Sequence, residues 1–203
     1  HVCDPACPVD RVCAAAGQCV PYPLAHDVGT VTVVGLRAAV EIAPRPPTFF
    51  YTNPTSLPHP GFDPGAAIQL AATGGDYAPF TLRGWGVSPL EVAGAQVTVQ
   101  SGQPVPLSWT PPPAPGPAKI LLALNVNGHG LVGAHVECEV DDTGAFTIPA
   151  TLATSLLAQG TSGFPTLAIT RTTADSVHAA PGCVELRVQA ARVLEVVIPG
   201  LVS

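Results

Sequence analysis

The sequence has no methionine, a single lysine (Lys119), few aromatic residues and little charge. Each shortage excludes something. Translation starts on Met, so a sequence that lacks it and opens on His1 fits a processed N-terminus. With an even count of six cysteines, we expect a secretory signal peptide to have been removed. Charged residues make up only 11%, and eight Lys and Arg face fourteen Asp and Glu, for a net charge of -6. Basic residues this few and scattered leave no electrostatic footprint for nucleic acid or for an anionic membrane surface. No apolar run approaches the roughly 18 residues needed to span a bilayer as a helix. The longest, around 119–126 and 192–202, are strand-like and interrupted.

What is there points to β-structure. At 47% hydrophobic residues the chain can bury enough apolar surface to offset its ordering entropy, which argues against disorder. With 24 Pro and 20 Gly, long helices are excluded in practice. The expected fold is all-β: an Ig-like or jelly-roll-type β-sandwich with a small N-terminal disulfide-rich module and one short helix. Abundant Ala, Pro, Gly and Val with almost no Lys also suggests a high-GC bacterial gene.

Residues 1–26 read as the separate module, with Cys3, Cys7, Cys13 and Cys19 spaced C-x3-C-x5-C-x5-C. Its apolar bulk is little more than Val2, Val9, Val12 and Val20, so crosslinks must supply what burial cannot. Four cysteines allow three connectivities, among which sequence cannot choose; Cys3–Cys13 with Cys7–Cys19 is favoured. Zinc is the rival reading, but structural zinc sites usually show C-x2-C knuckles, which are absent here.

The β-sandwich is expected over 27–203, with 27–110 and 118–203 as alternative subdomains on either side of the polyproline-type segment Pro111–Pro117. Period-two or β-branched runs mark strands near 30–34, 38–42, 67–72, 79–84, 88–92, 95–100, 105–109, 119–126, 132–140, 146–148, 165–171, 183–190 and 192–198. Gly35-Leu-Arg is a hairpin turn, Asp141-Asp-Thr-Gly144 another, and the proline-rich 53–65 a long surface loop. The helix candidate is 149–160, with Pro149 early and Gly160 just past its end. In the strand 132–140, alternation places Cys138 on the apolar face, so a buried bridge to Cys183 across the sandwich is expected.

Few residues suggest chemistry. If His1 is the mature terminus, its α-amine and imidazole could chelate copper as in a histidine brace, with a second histidine such as His129 or His135. No spacing selects that second ligand, and His1 sits in a tethered appendage, so a terminus left by cleavage or trimming is preferred. No cofactor is expected, with copper as the alternative. Glu137, Glu139, Asp141 and Asp142 could offer oxygen ligands to Ca2+, but a solvated strand face running into a turn is the better reading. His129, flanked by Gly128 and Gly130, reads as a plain turn. Phe49, Phe50, Tyr51, Phe62, Tyr77, Phe80 and Trp85 read as sandwich core and lid, with an exposed sugar- or protein-binding platform as the alternative. G-x-S-x-G, H-E-x-x-H, C-x-x-C-H and the P-loop are absent, while a spatially assembled Ser-His-Asp site stays open, since triads are not local in sequence.

Several stretches carry a resemblance: Cys3 to Pro21 with Gly17-Gln-Cys19-Val-Pro, Ala71-Ala-Thr-Gly-Gly-Asp-Tyr-Ala-Pro-Phe80, Leu107-Ser-Trp-Thr-Pro111 and Glu139-Val-Asp-Asp-Thr-Gly-Ala-Phe-Thr-Ile-Pro149. Over most of its length the chain resembles uncharacterised secreted or lipoprotein β-sandwich proteins of the myxobacterial type. The resemblance implies an outer-surface location, often through an acylated N-terminal Cys, and implies no activity. The expectation is a non-catalytic binding or structural protein, extracellular, periplasmic or on the outer cell surface. Its partner would be a protein, a polysaccharide or further copies of itself.

Overall fold

A computed structural model describes residues 3–14, 17–22, 25–53, 56–113, 116–126, 134–161, 163–179 and 182–200. At the N-terminus, strands β1 (Arg11–Cys13) and β2 (Cys19–Pro21) form an antiparallel ribbon in which Cys13 faces Cys19. Disulfides join Cys3 to Cys13 and Cys7 to Cys19, the favoured pairing. Val9 is 98% exposed, and Val12 and Val20 are also exposed, so this module has almost no apolar interior. On chain-entropy grounds, closing loops of this size stabilises by roughly 3 kcal/mol per bridge, which is the term that holds the ribbon.

A four-stranded antiparallel sheet follows, ordered β4-β3-β5-β6, from β3 (Val31–Val34), β4 (Val40–Ile42), β5 (Ala67–Ala72) and β6 (Phe80–Trp85). Alternation buries Leu82 and Gly84 of β6 and turns Thr81, Arg83 and Trp85 outward. The β3–β4 turn needs Gly35: its φ is 86°, and a Cβ there would lie 2.0 Å from the Ala67 carbonyl oxygen.

The larger sheet has five strands ordered β10-β9-β12-β13-β7. They are β7 (Gln96–Thr98), β9 (Lys119–Asn125), β10 (His135–Asp141), β12 (Thr166–Ala179) and β13 (Gly182–Val197). Only the short β7 runs parallel to its neighbour. The inner face, led by Ile120, Leu122, Leu124, Leu167, Ile169, Leu194 and Val196, is buried under a ribbon of β8 (Val105–Ser108) with β11 (Ala145–Ile148) and under helix α1 (Ala150–Leu157). The result is sandwich-like, with Ala153 and Leu156 as the helix's buried stripe. Pro149 stands at the helix N-cap, and Gly160, with φ 96°, follows its end. Strands on both sides of Pro111–Pro117 share sheets, β7 with β13 and β8 with β11. Among the described residues, no helix is long and apolar enough to cross a membrane.

Three expectations need correction. No strand forms at 88–92 beyond an isolated bridge from Val92 to Trp109, because the Ser88 and Pro89 carbonyls accept hydrogen bonds from Arg171 instead of entering a ladder. The segments 165–171, 183–190 and 192–198 belong to one continuous hairpin of 14- and 16-residue strands. Ala190 and Ala191, which look like an interruption, pair with Arg171 and Thr170, and the small Ala190 leaves room beside the arginine on the shared face. The distal half of this hairpin meets β6. Thr173 Oγ1 accepts from the Trp85 N–H and donates to the Trp85 carbonyl, Asp175 accepts from the Arg83 N–H, and Gly84 lies against Val188. Side chains of β12 thus satisfy the otherwise open edge of the smaller sheet.

The third correction concerns the bridge from Cys138 to Cys183. Both thiols are free. Cys138, on β10, pairs with Leu122 of β9, whereas Cys183 faces His178 near the end of the β12–β13 hairpin. They belong to one sheet, with β9 and β12 between their strands. Three inter-strand spacings of about 4.8 Å exceed the Cα separation a disulfide tolerates. Burial pushes the Cys138 thiol above its ordinary range, while Cys183 is exposed. Native protein should therefore yield two alkylatable thiols by mass spectrometry, Cys183 reacting first and Cys138 needing higher pH. Recovery of a Cys138–Cys183 crosslinked peptide would contradict the register.

Candidate binding surface

The uncovered face of the five-stranded sheet follows from strand parity. Leu122 of β9 and Ile169 of β12 point into the core, so Leu121, Ala123, Ala168 and Thr170 point out. Register sets Glu139 beside Leu121 and Glu137 beside Ala123. Short side chains on the two central strands, with longer ones on β10 and β13, leave a depression of about 470 Å³. Its floor is Leu121, Ala123, Ala168 and Thr170; its walls are Glu137 and Glu139 on one side and Arg187 and Gln189 on the other.

The charges around it are locally paired. Lys119 Nζ lies 2.5 Å from Asp141, His135 Nε2 lies 3.5 Å from Glu137, and Arg187 donates to Glu185. The hydrogen bond from Lys119 holds Asp141 below the usual carboxylate range, and the one from Arg187 does the same for Glu185. These pairs are solvated, so they shape the surface more than they stabilise the fold.

Of the histidines proposed for metal, His135 stands exposed on this face, while His1 and His129 lie outside the described residues. Gly128, Gly130 and Gly133 have G-x-G-x-x-G spacing; they lie outside the described residues, and the next described element is strand β10 rather than the helix that dinucleotide binding requires. The acidic run divides. Glu137, Glu139 and Asp141 face solvent, as a strand face should, but Asp142 turns inward and binds Arg171 and Trp109. The four carboxylates do not converge into a calcium cage. In the N-terminal module, the Sγ atoms of Cys3, Cys7 and Cys13 lie within 4.8 Å of one another, but as disulfides they offer no thiolate to a metal.

The aromatic cluster is not core. None of its seven members is buried, Phe50 is 69% and Trp85 51% exposed, and the buried aromatic of the main core is Trp109. Parity is the reason for Trp85, which shares the outward face of β6 with Arg83. It borders an open depression of about 320 Å³ together with Pro64, Pro112, Pro113 and Pro117. Tyr51 is held by its hydroxyl, which donates to Asp27 or the Gly29 carbonyl and accepts from the Val28 N–H. Desolvation raises its pKa.

A polar cluster without a sequence signature lies at the root of the smaller sheet. His26 Nδ1 sits 3.3 Å from Asp76 Oδ2, which also accepts from the Asp27 N–H, and the His26 ring meets Tyr77 edge-on at 5.3 Å. This orients an imidazole against a carboxylate, but among the described residues no serine or cysteine is bonded to the pair. It clasps the segment around 26–29 to the turn at 74–77. No protein-family model matches the chain, and neither a curated protein nor a solved structure matches it.

The hydrogen bond from the Asp27 N–H, followed by that from His26, lowers the Asp76 pKa. A carboxylate whose folded pKa is depressed stabilises the fold above its unfolded value, and that contribution is lost as pH falls through the folded one. Carboxyl NMR should show Asp76 titrating below the ordinary value of about 3.9. Asp76→Asn should reduce the loss of thermal stability below roughly pH 4, leaving the shares of Asp141 and Glu185 in place. An ordinary titration at Asp76 would contradict the clasp.

Proposed function

We propose that the protein is a secreted or cell-surface, non-catalytic binding or structural module that works within an extracellular assembly. The observation that carries this reading is the open depression on the uncovered sheet face, with Glu137, Glu139, Arg187 and Gln189 as walls around a floor of Leu121, Ala123, Ala168 and Thr170. Those polar groups stand apart as rims for a ligand to lie between, and none is aligned with a nucleophile or an oxyanion donor in the way catalysis requires. The disulfide-held N-terminal ribbon supports the location, because such bridges persist in oxidising compartments and this ribbon has little else to hold it. The resemblance to secreted or lipoprotein sandwiches of the myxobacterial type points the same way. Of the partner classes, a protein suits the charged rims best.

The test is binding of the fluorescently labelled chain to intact cells or isolated envelopes, with copper loading and EPR on the same preparation. Saturable binding, unaffected by copper and by a serine-hydrolase probe, is the expected result. A type 2 copper signal at one metal per chain that vanishes in His1→Ala would overturn the reading in favour of an oxidative copper enzyme.

A further inference from the structure

We propose that β10 is a docking edge onto which an extended, basic segment of a partner protein adds as a further strand of the five-stranded sheet. The inference rests on the binding reading above and names the partner's chemistry. Strand β10 ends the sheet order and pairs only with β9, so among the described residues one row of its backbone N–H and C=O groups has no ladder partner. Burial along it alternates strictly: Val136, Cys138 and Val140 are half-buried, whereas His135, Glu137, Glu139 and Asp141 are exposed. Their β9 partners on the inner face, Leu124, Leu122 and Ile120, are fully buried. The three β10 side chains pack against the main core yet stay half-buried, and an added strand with apolar residues at alternate positions would cover them further.

Charge decides between a second copy and a different partner. Natural edges are blunted with charge, proline or a bulge; β10 has no proline or bulge, and its protection against self-pairing is the exposed row Glu137, Glu139 and Asp141. An antiparallel second copy centred on Cys138 would set Glu137 against Glu139, and an in-register parallel copy would set each glutamate against itself. Like charges directly opposite destabilise a pair of strands, so the edge disfavours itself. The same row favours lysine or arginine at alternate positions of an incoming strand. Glu137 has only His135 at 3.5 Å, and Glu139 makes no direct ion pair among the described residues, feeling Lys119 and Arg187 only at longer range.

The probe is a short capped peptide alternating lysine with valine, with a glutamate–valine peptide as control. Titration of the intact chain, followed by amide hydrogen exchange, should show slowed exchange concentrated at 135–141 with the basic peptide alone. Affinity should fall at least about tenfold in Glu137→Lys/Glu139→Lys, whose changes are at exposed positions, and should fall with added salt. Protection elsewhere, unchanged affinity in the variant, or a doubled mass by light scattering without peptide would each overturn the proposal. If envelope binding persists in that variant, the edge assignment fails while the binding function stands. If the peptide binds β10 but wild-type chain ignores envelopes, the edge stands and the extracellular reading fails.

Discussion

A single buried guanidinium organises this structure. Arg171 is 1% exposed and its partner Asp142 5%. All five of its N–H donors have acceptors. Nε and Nη2 reach the two Asp142 carboxylate oxygens, Nη1 reaches the Ser88 and Pro89 carbonyls, and Nη2 also reaches the Thr110 carbonyl. Trp109 donates its indole N–H to Asp142 Oδ1 at 2.7 Å. Taking two charges out of water costs several kcal/mol per ion, and only a complete set of partners offsets that. Completeness in turn dictates where the segment at 88–89, the end of β8, the turn after β10 and the middle of β12 must lie.

The position of Arg171 explains why one long hairpin serves two sheets. On the proximal side, Leu167 and Ile169 share its inward parity and enter the main core. On the distal side, Thr173 and Asp175 keep that parity and meet the edge of β6. The arginine stands at the changeover, where one face passes from an apolar contact to a polar one. Because it points inward, Thr170 and Thr172 point outward, and Thr170 becomes part of the floor of the depression. The depression and the buried ion pair are thus two faces of one strand.

Much of this was legible in the sequence where the signal is local. Period-two alternation places β5 at 67–72 and sets Glu137 and Glu139 opposite Cys138, because a strand alternates whatever it pairs with. The crosslinking of Cys3, Cys7, Cys13 and Cys19 was legible because a segment without apolar bulk needs bridges to hold it. What escaped depends on non-local register. Thr170-Arg-Thr-Thr173 looks like an ordinary exposed strand, and nothing in it reports that Arg171 is buried or that Asp142 turns in to meet it. Cys138 and Cys183 are well separated in sequence and look free to pair; only the strand order reveals β9 and β12 between their strands. The glutamates of the candidate site were visible, but that β10 is an edge was not.

The most direct test of this account is a double-mutant cycle at the buried pair, with stability read from urea unfolding of Arg171→Leu, Asp142→Ala and the double variant. Removing one partner strands a buried charge, so each single change should cost about 3–5 kcal/mol. The double variant should cost at least about 1 kcal/mol less than the sum, because neither charge is then left alone. Single losses below about 1 kcal/mol that simply add would contradict the claim that this ion pair holds the structure together.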